Sequence, residues 1–250
     1  MGHQRRPDLP GTIFHLTART IRRRHWLTPR LRTAVLNELA STLAPSRMRL
    51  LAVAVMSNHL HIVAQQGERP LSSLMQPLLR RVALRLQRAH DLEGPIFWRP
   101  YGSQPCLDPS YARNAIVYTH LNPVRAGLCD DPADYRWSSH ALYAGGVVSA
   151  PPEELALLRP HLDPSLALPL FAAAGRRSTD ALRTDYRAFV EWRLSADHAP
   201  DGDGTLAPSP DSGPWRDHRW SQPFSPLFHS PVRPGTRGEG RGEPRTTPQL

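Results

Sequence analysis

Residues 50–65 read LLAVAVMSNHLHIVAQ, and this stretch has the pattern of a β-hairpin. Its first part is an almost continuous apolar run, rich in valine and too short for a typical helix, which favours a central strand. Ser57-Asn58 is a turn sequence, and the alternation from His59 to Gln65 indicates a second strand that returns antiparallel to the first. We therefore expect the sheet to be built around this hairpin.

The segment before the hairpin predicts one more strand and one helix. GTIFHLTART, residues 11–20, alternates apolar and polar residues, as a half-buried strand does. Thr28 followed by Pro29 is a helix start, and leucines and valines recur at helical spacing after it. A helix is therefore predicted over 29–43.

The segment after the hairpin continues the alternation of helices and strands. Residues 71–89 form an amphipathic pattern with arginines on its flank, and 95–107 is predicted to be an edge strand because it contains prolines. Asp108-Pro109 starts another helix, which Asn122-Pro123 is expected to end. The order βαββαβα predicts an α+β fold, an antiparallel sheet with helices packed on it.

The C-terminal third has weaker patterns. Short helical or apolar segments are predicted at 153–158 and 164–175, and a helix at 179–194. From 200 to 250 the chain has 10 Pro and 7 Gly in 51 residues, a composition that predicts disorder. The expected organisation is a core domain over 11–146, a helical extension over 147–195 and a disordered Pro/Gly-rich tail over 196–250.

Positive charge is concentrated in the first part of the chain. Residues 1–150 contain 19 Arg against 9 acidic residues, whereas the rest of the chain is almost neutral. Such a surface attracts phosphate backbones, and arginine adds bidentate contacts and stacking on bases. The absence of lysine by itself is equally explained by a GC-rich coding sequence. The asymmetry favours a nucleic-acid partner.

Cysteine content and hydropathy exclude several classes of protein. Cys106 and Cys129 have neither zinc-site spacing nor the number needed for a disulfide framework. The N-terminus has no apolar signal region, and no stretch of about 18 apolar residues occurs that could cross a bilayer. We expect a cytoplasmic protein without a membrane partner.

Two pairs of polar residues are candidates for a functional site. His59 and His61 are two apart on a predicted strand, so both side chains project from one face and can converge on a cation. Tyr118 and Asn122 are four apart on a helix and share a face. Each pair also has a purely structural interpretation, as half-buried histidines, a core aromatic residue and a helix-terminal amide, and spacing alone favours that interpretation.

Several motifs together resemble a known family. VMSNHLHIV (55–63) and VYTHLNPVRAGL (117–128) are similar to the HUH single-tyrosine transposases, which include the REP-associated tyrosine transposases with an IS200-like domain. The resemblance extends through HLTART, GPIFWRPYGS and DPADYRWSSHALYAGG, and it covers about residues 11–146. It implies the ferredoxin-like, or RRM-like, core of the HUH enzymes.

The resemblance also implies a site and a reaction. His59 and His61 would be metal ligands, Asn122 would complete the metal site, and Tyr118 would be the nucleophile. The activity implied is cleavage and rejoining of single-stranded DNA at hairpin-bearing ends, through a 5′-phosphotyrosine and with Mg²⁺ or Mn²⁺. Coordination chemistry alone favours manganese or zinc for two imidazoles. Monomer and homodimer, with the tyrosine acting in its own or its partner's site, both remain open.

The chain departs from the family pattern at two positions. Ser57 stands where many relatives have proline, and Gly102 stands where lysine is frequent. The loss of a lysine weakens phosphate contact, for which three arginines are candidate replacements and DNA contacts: Arg99, Arg113 and Arg125.

Other aromatic residues and other functions compete with this interpretation. Tyr118 is the only tyrosine with an asparagine four residues later among the candidates, which are Tyr101, Tyr111, Tyr118, Tyr135 and Tyr143. Trp98 and Trp137 are suited either to stacking on unpaired bases or to core packing, with core packing favoured. The alternative functions are a domesticated DNA-hairpin-binding protein without cleavage activity and a metal-binding, RNA-associated α+β module.

Overall fold

The computed structural model describes residues 8–98, 100–145, 152–172 and 178–198. Its strands are β1 (Ile13–Arg19), β2 (Arg49–Val55), β3 (His59–Gln65) and β4 (Gly102–Cys106). Its α-helices are α1 (Pro29–Ser46), α2 (Ser72–His90), α3 (Pro109–Arg125), α4 (His140–Ala144), α5 (Pro164–Ala167) and α6 (Thr179–His198). Short 3-10 helices cover Ile21–Arg23, Pro132–Asp134, Glu153–Leu155, Arg159–His161 and Leu168–Phe171.

The four strands form one antiparallel sheet in the order β2-β3-β1-β4. This confirms the predicted α+β class, the βαββαβα order and the edge position of the last strand. No helix in the described ranges is both long and apolar enough to span a membrane.

The two faces of the sheet carry different residues because neighbouring side chains of a strand point in opposite directions. Phe14 and Leu16 of β1 and Leu60 and Ile62 of β3 are fully buried on the face covered by α1 and α2. The opposite face carries His59 and His61, and α3 packs across it against all four strands. The sequence thus places a continuous apolar core on one side of the sheet and two histidines under α3 on the other.

Helix α3 begins as its sequence predicts but ends later. The Asp108 side chain accepts a hydrogen bond from the Tyr111 backbone N–H, and Pro109 occupies the first turn, where its missing N–H is not needed. The predicted end at Asn122-Pro123 is wrong, because the helix continues to Arg125. Pro123 removes only its own donor, and the N–H of Ala126 still bonds to the carbonyl of Asn122 at 3.0 Å.

The last strand is shorter than the predicted 95–107. Residues Gly102–Cys106 pair with β1, whereas Phe97 forms a separate antiparallel bridge to Thr20 just beyond the end of β1. Pro100, which cannot donate to a strand ladder, lies between the two pairings, and their registers differ.

Residues after α3 cover the outer edge of β2. The N–H of Val55 donates to the carbonyl of Trp137, and the N–H of Ser139 donates to the carbonyl of Val53. Asp163 donates from its backbone to Leu50 farther along the same strand. These bonds satisfy an edge that would otherwise be open to pairing with another chain.

A buried polar cluster joins α3 to α6. The Tyr186 hydroxyl lies 2.7 Å from Nδ1 of His120 and 2.6 Å from Nδ1 of His140, and Nε2 of His120 lies 2.8 Å from the Ser139 hydroxyl. All four residues are buried. Because His120 is two residues after Tyr118, the cluster holds the helix that carries the candidate nucleophile.

The helical extension contains the helix predicted over 179–194, although α6 reaches His198 and so overlaps the start of the predicted tail. The remainder of the tail prediction lies outside the described residues. The division into domains at 146 and 195 stays a prediction.

Candidate active site

The structure brings the four predicted site residues together on the α3 side of the sheet. The ring centroids of His59 and His61 are 4.9 Å apart, and those of His61 and Tyr118 are 5.6 Å apart. The amide of Asn122 lies between the imidazoles, with Oδ1 at 3.3 Å from Nε2 of His59 and Nδ2 at 3.1 Å from Nε2 of His61. Residues from β3 and from α3, about sixty positions apart, therefore form one site.

The surrounding hydrogen bonds determine which ring nitrogen of His59 carries the hydrogen. Oδ1 of Asn58 lies 2.6 Å from Nδ1 of His59, while Nδ2 of Asn58 donates to the carbonyl of Arg23 at 3.1 Å. An amide oxygen only accepts, so Nδ1 of His59 carries the hydrogen and Nε2 keeps its lone pair. Nε2 thus points a lone pair at the amide oxygen of Asn122.

His61 is oriented in a similar way by His15, a residue that sequence reasoning did not select. Nε2 of His15 lies 2.9 Å from Nδ1 of His61, and both residues are buried. Nε2 of His61 accepts from the Asn122 amide, so its Nδ1 carries the hydrogen and donates to His15. His15 lies on β1 in the alternating segment HLTART, but only the sheet register shows that it reaches His61.

This donor set fits a divalent cation. Two imidazole lone pairs and an amide oxygen converge, and Oδ1 of Asn122 faces the lone pair on Nε2 of His59. A cation between these atoms would satisfy both acceptors at once. Among the described residues no group of three or more His, Cys, Asp and Glu side chains could hold a metal, so the amide is needed as the third ligand.

Both histidines are neutral near pH 7, as metal ligands must be. Burial, followed by the positive charge of Arg19, lowers the pKa of His59 to about 3. Burial also lowers the pKa of His61 well below its ordinary value, and His59 and His15 lower it further. Little competition from protons is therefore expected at this site.

The tyrosine is surrounded by groups that oppose the effect of its burial. Burial raises the pKa of Tyr118, while Arg125, Arg19 and a hydrogen bond with Asn122 each lower it. The guanidinium carbon of Arg125 lies 5.2 Å from the centre of the Tyr118 ring, seven residues later on the same face of α3. These cations would also neutralise a phosphate next to the hydroxyl.

The three arginines predicted to contact DNA fall in different places. Arg125 lies at the site, and Arg99 lies outside the described residues. Arg113 is only 8% exposed, and its guanidinium carbon lies 4.8 Å from the centre of the Phe189 ring of α6. Burial lowers the pKa of Arg113 to about 10. Packing against α6 explains this residue better than a DNA contact does.

The competing aromatic residues have other roles. The hydroxyls of Tyr135 and Tyr143 bond to backbone carbonyls of β2, and both side chains are buried. Trp137 is half-buried, with its indole N–H on Thr33 and the Arg32 guanidinium over its ring, so the expected packing role holds. Trp98 differs: its side chain is 64% exposed, and the favoured core-packing interpretation is wrong for it.

The two departures from the family pattern have local explanations. The Ser57 hydroxyl lies 2.6 Å from Nδ1 of His25, so the turn before His59 gains a side-chain hydrogen bond. A Cβ added at Gly102 would lie 2.7 Å from the Thr17 hydroxyl oxygen. A lysine at position 102 would require Thr17 to move.

The part of the chain that forms the sheet matches a known protein family. Residues 9–107, which contain all four strands and both histidines of the site, match a model of transposases, a class of DNA-cleaving enzymes. That model is the one described as "Transposase IS200 like", and it matches 99 of the chain's 250 residues, which supports the family resemblance found in the sequence. The matched segment ends before α3, so Tyr118 and Asn122 lie beyond it.

Several solved structures are similar to the chain, and two of them are described as transposases. A structure described as the REP-associated tyrosine transposase bound to a REP hairpin is 18% identical, with a TM-score of 0.48, over 60% of this chain and 90% of that chain. A putative transposase from Deinococcus radiodurans R1 is 19% identical, with a TM-score of 0.32, over 42% of this chain and 83% of that chain. No curated protein sequence matches the chain.

Proposed function

We propose that the protein cleaves and rejoins single-stranded DNA at hairpin-bearing ends, with Tyr118 as the nucleophile. The observation that carries the proposal is the position of Tyr118 beside His61, one helical turn before an amide that contacts both imidazoles. A transposase needs a nucleophile next to a site that neutralises phosphate, and this arrangement provides both.

His59, His61 and Asn122 would hold the metal, which we expect to be Mg²⁺ or Mn²⁺. The bound ion would supply Lewis-acid polarisation of a non-bridging phosphate oxygen. Arg125 and Arg19 would hold the phosphate and favour the phenolate of Tyr118, since both lower its pKa. The amide of Asn122 would orient the Tyr118 hydroxyl through their hydrogen bond.

The covalent step needs no ATP, because one phosphorus–oxygen bond forms as another breaks. The bond from the Tyr118 oxygen to phosphorus forms as the bond from phosphorus to the 3′-oxygen breaks. The phenolic proton leaves to solvent, and the 3′-oxygen gains a proton to become a hydroxyl. A 5′-phosphotyrosine is left on one fragment, and attack by a 3′-hydroxyl reverses the step and rejoins the strands.

The direct test uses purified protein, a hairpin with single-stranded arms, and Mn²⁺ or Mg²⁺. Denaturing electrophoresis should show a covalent band with DNA labelled at its 3′ end and a released fragment with DNA labelled at its 5′ end. Tyr118→Phe should abolish the band, whereas Tyr111→Phe, on the same helix, should retain it. The reverse pattern of labels would refute the 5′-phosphotyrosine.

The metal assignment has a test that does not require cleavage. Mn²⁺ binding, followed by electron paramagnetic resonance, should weaken by tenfold or more in His59→Ala and in Asn122→Ala. Asn122→Asp should bind Mn²⁺ more tightly, because a carboxylate replaces a neutral oxygen ligand. Equal affinities in all four proteins would refute this site.

The alternative is a domesticated protein that binds DNA hairpins without cutting them. Tight hairpin binding without an adduct, in either metal and with several hairpins from the flanking genomic sequence, would favour that alternative. Stronger binding to RNA than to DNA of the same sequence would favour an RNA-associated module.

A further inference from the structure

Trp98 occupies a fixed position next to the proposed site although its side chain is exposed. Its backbone N–H donates to the carbonyl of Arg19 at 2.9 Å, and the N–H of Ile21 donates to the carbonyl of Ile96 at 2.8 Å. The bridge between Thr20 and Phe97 lies between these two bonds. The segment that carries Trp98 is therefore held as a continuation of the sheet.

The register places Trp98 in one row with the site. Arg19 is opposite His59 in the pairing of β1 with β3, and the antiparallel bridge between Thr20 and Phe97 puts Trp98 opposite Arg19 on the other side. Directly opposed residues project from the same face of a sheet. His59, Arg19 and Trp98 thus form a row across the α3 face, and strands spaced about 4.8 Å apart place its ends about 10 Å apart.

Trp98 differs from its neighbours in exposure. It is 64% exposed, whereas Ile96 is 3% exposed and packs in the core. A large exposed aromatic residue at a rigid position indicates a binding surface when its surroundings suit a ligand.

The surroundings of Trp98 are cationic. Arg19 is close enough to Tyr118 and to Arg23 for each to influence its pKa, which burial and Arg23 lower and Tyr118 raises. The guanidinium carbon of Arg125 lies 5.2 Å from the centre of the Tyr118 ring. An exposed indole beside arginines suits a polyanion with flat apolar groups, which is the chemistry of an unpaired nucleic-acid strand.

We infer that Trp98 is a stacking platform for one unpaired base of the DNA strand whose phosphate lies at Tyr118, with Arg19 contacting the backbone between them. The inference rests on the proposed function for the position of that phosphate. The row is about 10 Å long, and stacked bases in a duplex are about 3.4 Å apart. The row thus corresponds to about three nucleotides. A base that lies on the indole exchanges a neighbouring base for it as its stacking partner.

The test places 2-aminopurine, a fluorescent base, at successive positions along the single-stranded arms of a hairpin. The protein carries Tyr118→Phe, so that binding is measured without cleavage. One or two positions should be quenched, and Trp98→Ala should remove that quenching and weaken binding by about tenfold. Trp98→Phe should retain part of the quenching and part of the binding affinity. Leu107→Ala is the matched control, because Leu107 is 77% exposed just beyond the other end of β4.

The outcomes separate this inference from the proposed function. If an adduct forms through Tyr118 but Trp98→Ala changes neither quenching nor affinity, the base platform is wrong and the transposase chemistry stands. If Trp98→Ala removes the quenching while no metal supports an adduct, the platform stands and the cleavage proposal fails. Equal quenching of single-stranded RNA of the same sequence would overturn the assignment to DNA. A urea midpoint for Trp98→Ala equal to that of the parent protein excludes misfolding as the cause of a loss.

Discussion

Nε2 of His15 lies 2.9 Å from Nδ1 of His61, and their rings are nearly parallel, 14° apart. This contact joins β1 to β3 beneath the proposed metal site and sets which nitrogen of His61 faces Asn122. Loss of the group that orients a metal-binding histidine typically lowers metal affinity by about tenfold to hundredfold.

We predict that His15→Ala weakens Mn²⁺ binding by about tenfold, because His61 then loses the acceptor that holds its Nδ1 proton. His15→Gln should recover part of the affinity, since its amide oxygen can accept the same proton. Titration with Mn²⁺ under electron paramagnetic resonance checks both variants. Equal losses in the two variants would mean that His15 acts only through packing.

Arg125 should affect both the rate and the pH dependence of adduct formation. Because Arg125 lowers the pKa of Tyr118, Arg125→Ala should raise that pKa and move the rising limb of the pH–rate profile to higher pH. The rate at neutral pH should fall by roughly tenfold to hundredfold. Arg125→Lys keeps the positive charge, so its pH–rate profile should stay close to that of the parent protein. A slower rate with an unmoved profile would assign Arg125 to DNA binding alone.

Tyr186→Phe should destabilise the fold at a distance from the reacting groups. The substitution removes a hydroxyl that contacts both His120 and His140 in a fully buried environment. The expected loss is about 1–3 kcal/mol in the free energy of unfolding by urea. Hydrogen exchange of α3 amides should become faster, because His120 belongs to that helix. An unchanged urea midpoint would contradict the structural role assigned to the cluster.

Buried histidines should make the protein sensitive to acid. Burial lowers the pKa of His15 and that of His140 to about 4 in the folded state. The unfolded chain takes up these protons below about pH 6.5, whereas the folded chain does so only near pH 4. The contribution of these neutral histidines to the free energy of unfolding is therefore fully present above about pH 6.5 and is lost as the pH falls toward 4.

Urea unfolding at pH 7.5, 6 and 5 without divalent ions measures this loss. His140→Gln should be less stable than the parent at neutral pH but should lose less between pH 7.5 and 5. A parent protein with the same unfolding free energy at all three pH values would show that these histidines have the same pKa in the fold as in the unfolded chain.

Patterns confined to a single element predicted most of the fold. The hairpin at 50–65 has its predicted turn at Ser57-Asn58, and α3 starts at the predicted Asp108-Pro109 signal, because period, turn residues and capping are local properties. Patterns that depend on neighbours were less predictive. Pro123 does not end α3, and Trp98 is not in the core, since helix ends and burial depend on what packs nearby.

Local sequence patterns are sufficient to predict the four strands, their order along the chain, the basic first part and the two residue pairs of the candidate site. The folded chain is needed to show that these pairs meet, with Asn122 between His59 and His61, and that His15 and Arg19 lie with them. The burial of Arg113 and the exposure of Trp98 also follow from the fold. Strand and helix periods fix the face on which a side chain lies, whereas register and packing between distant segments fix what that face meets.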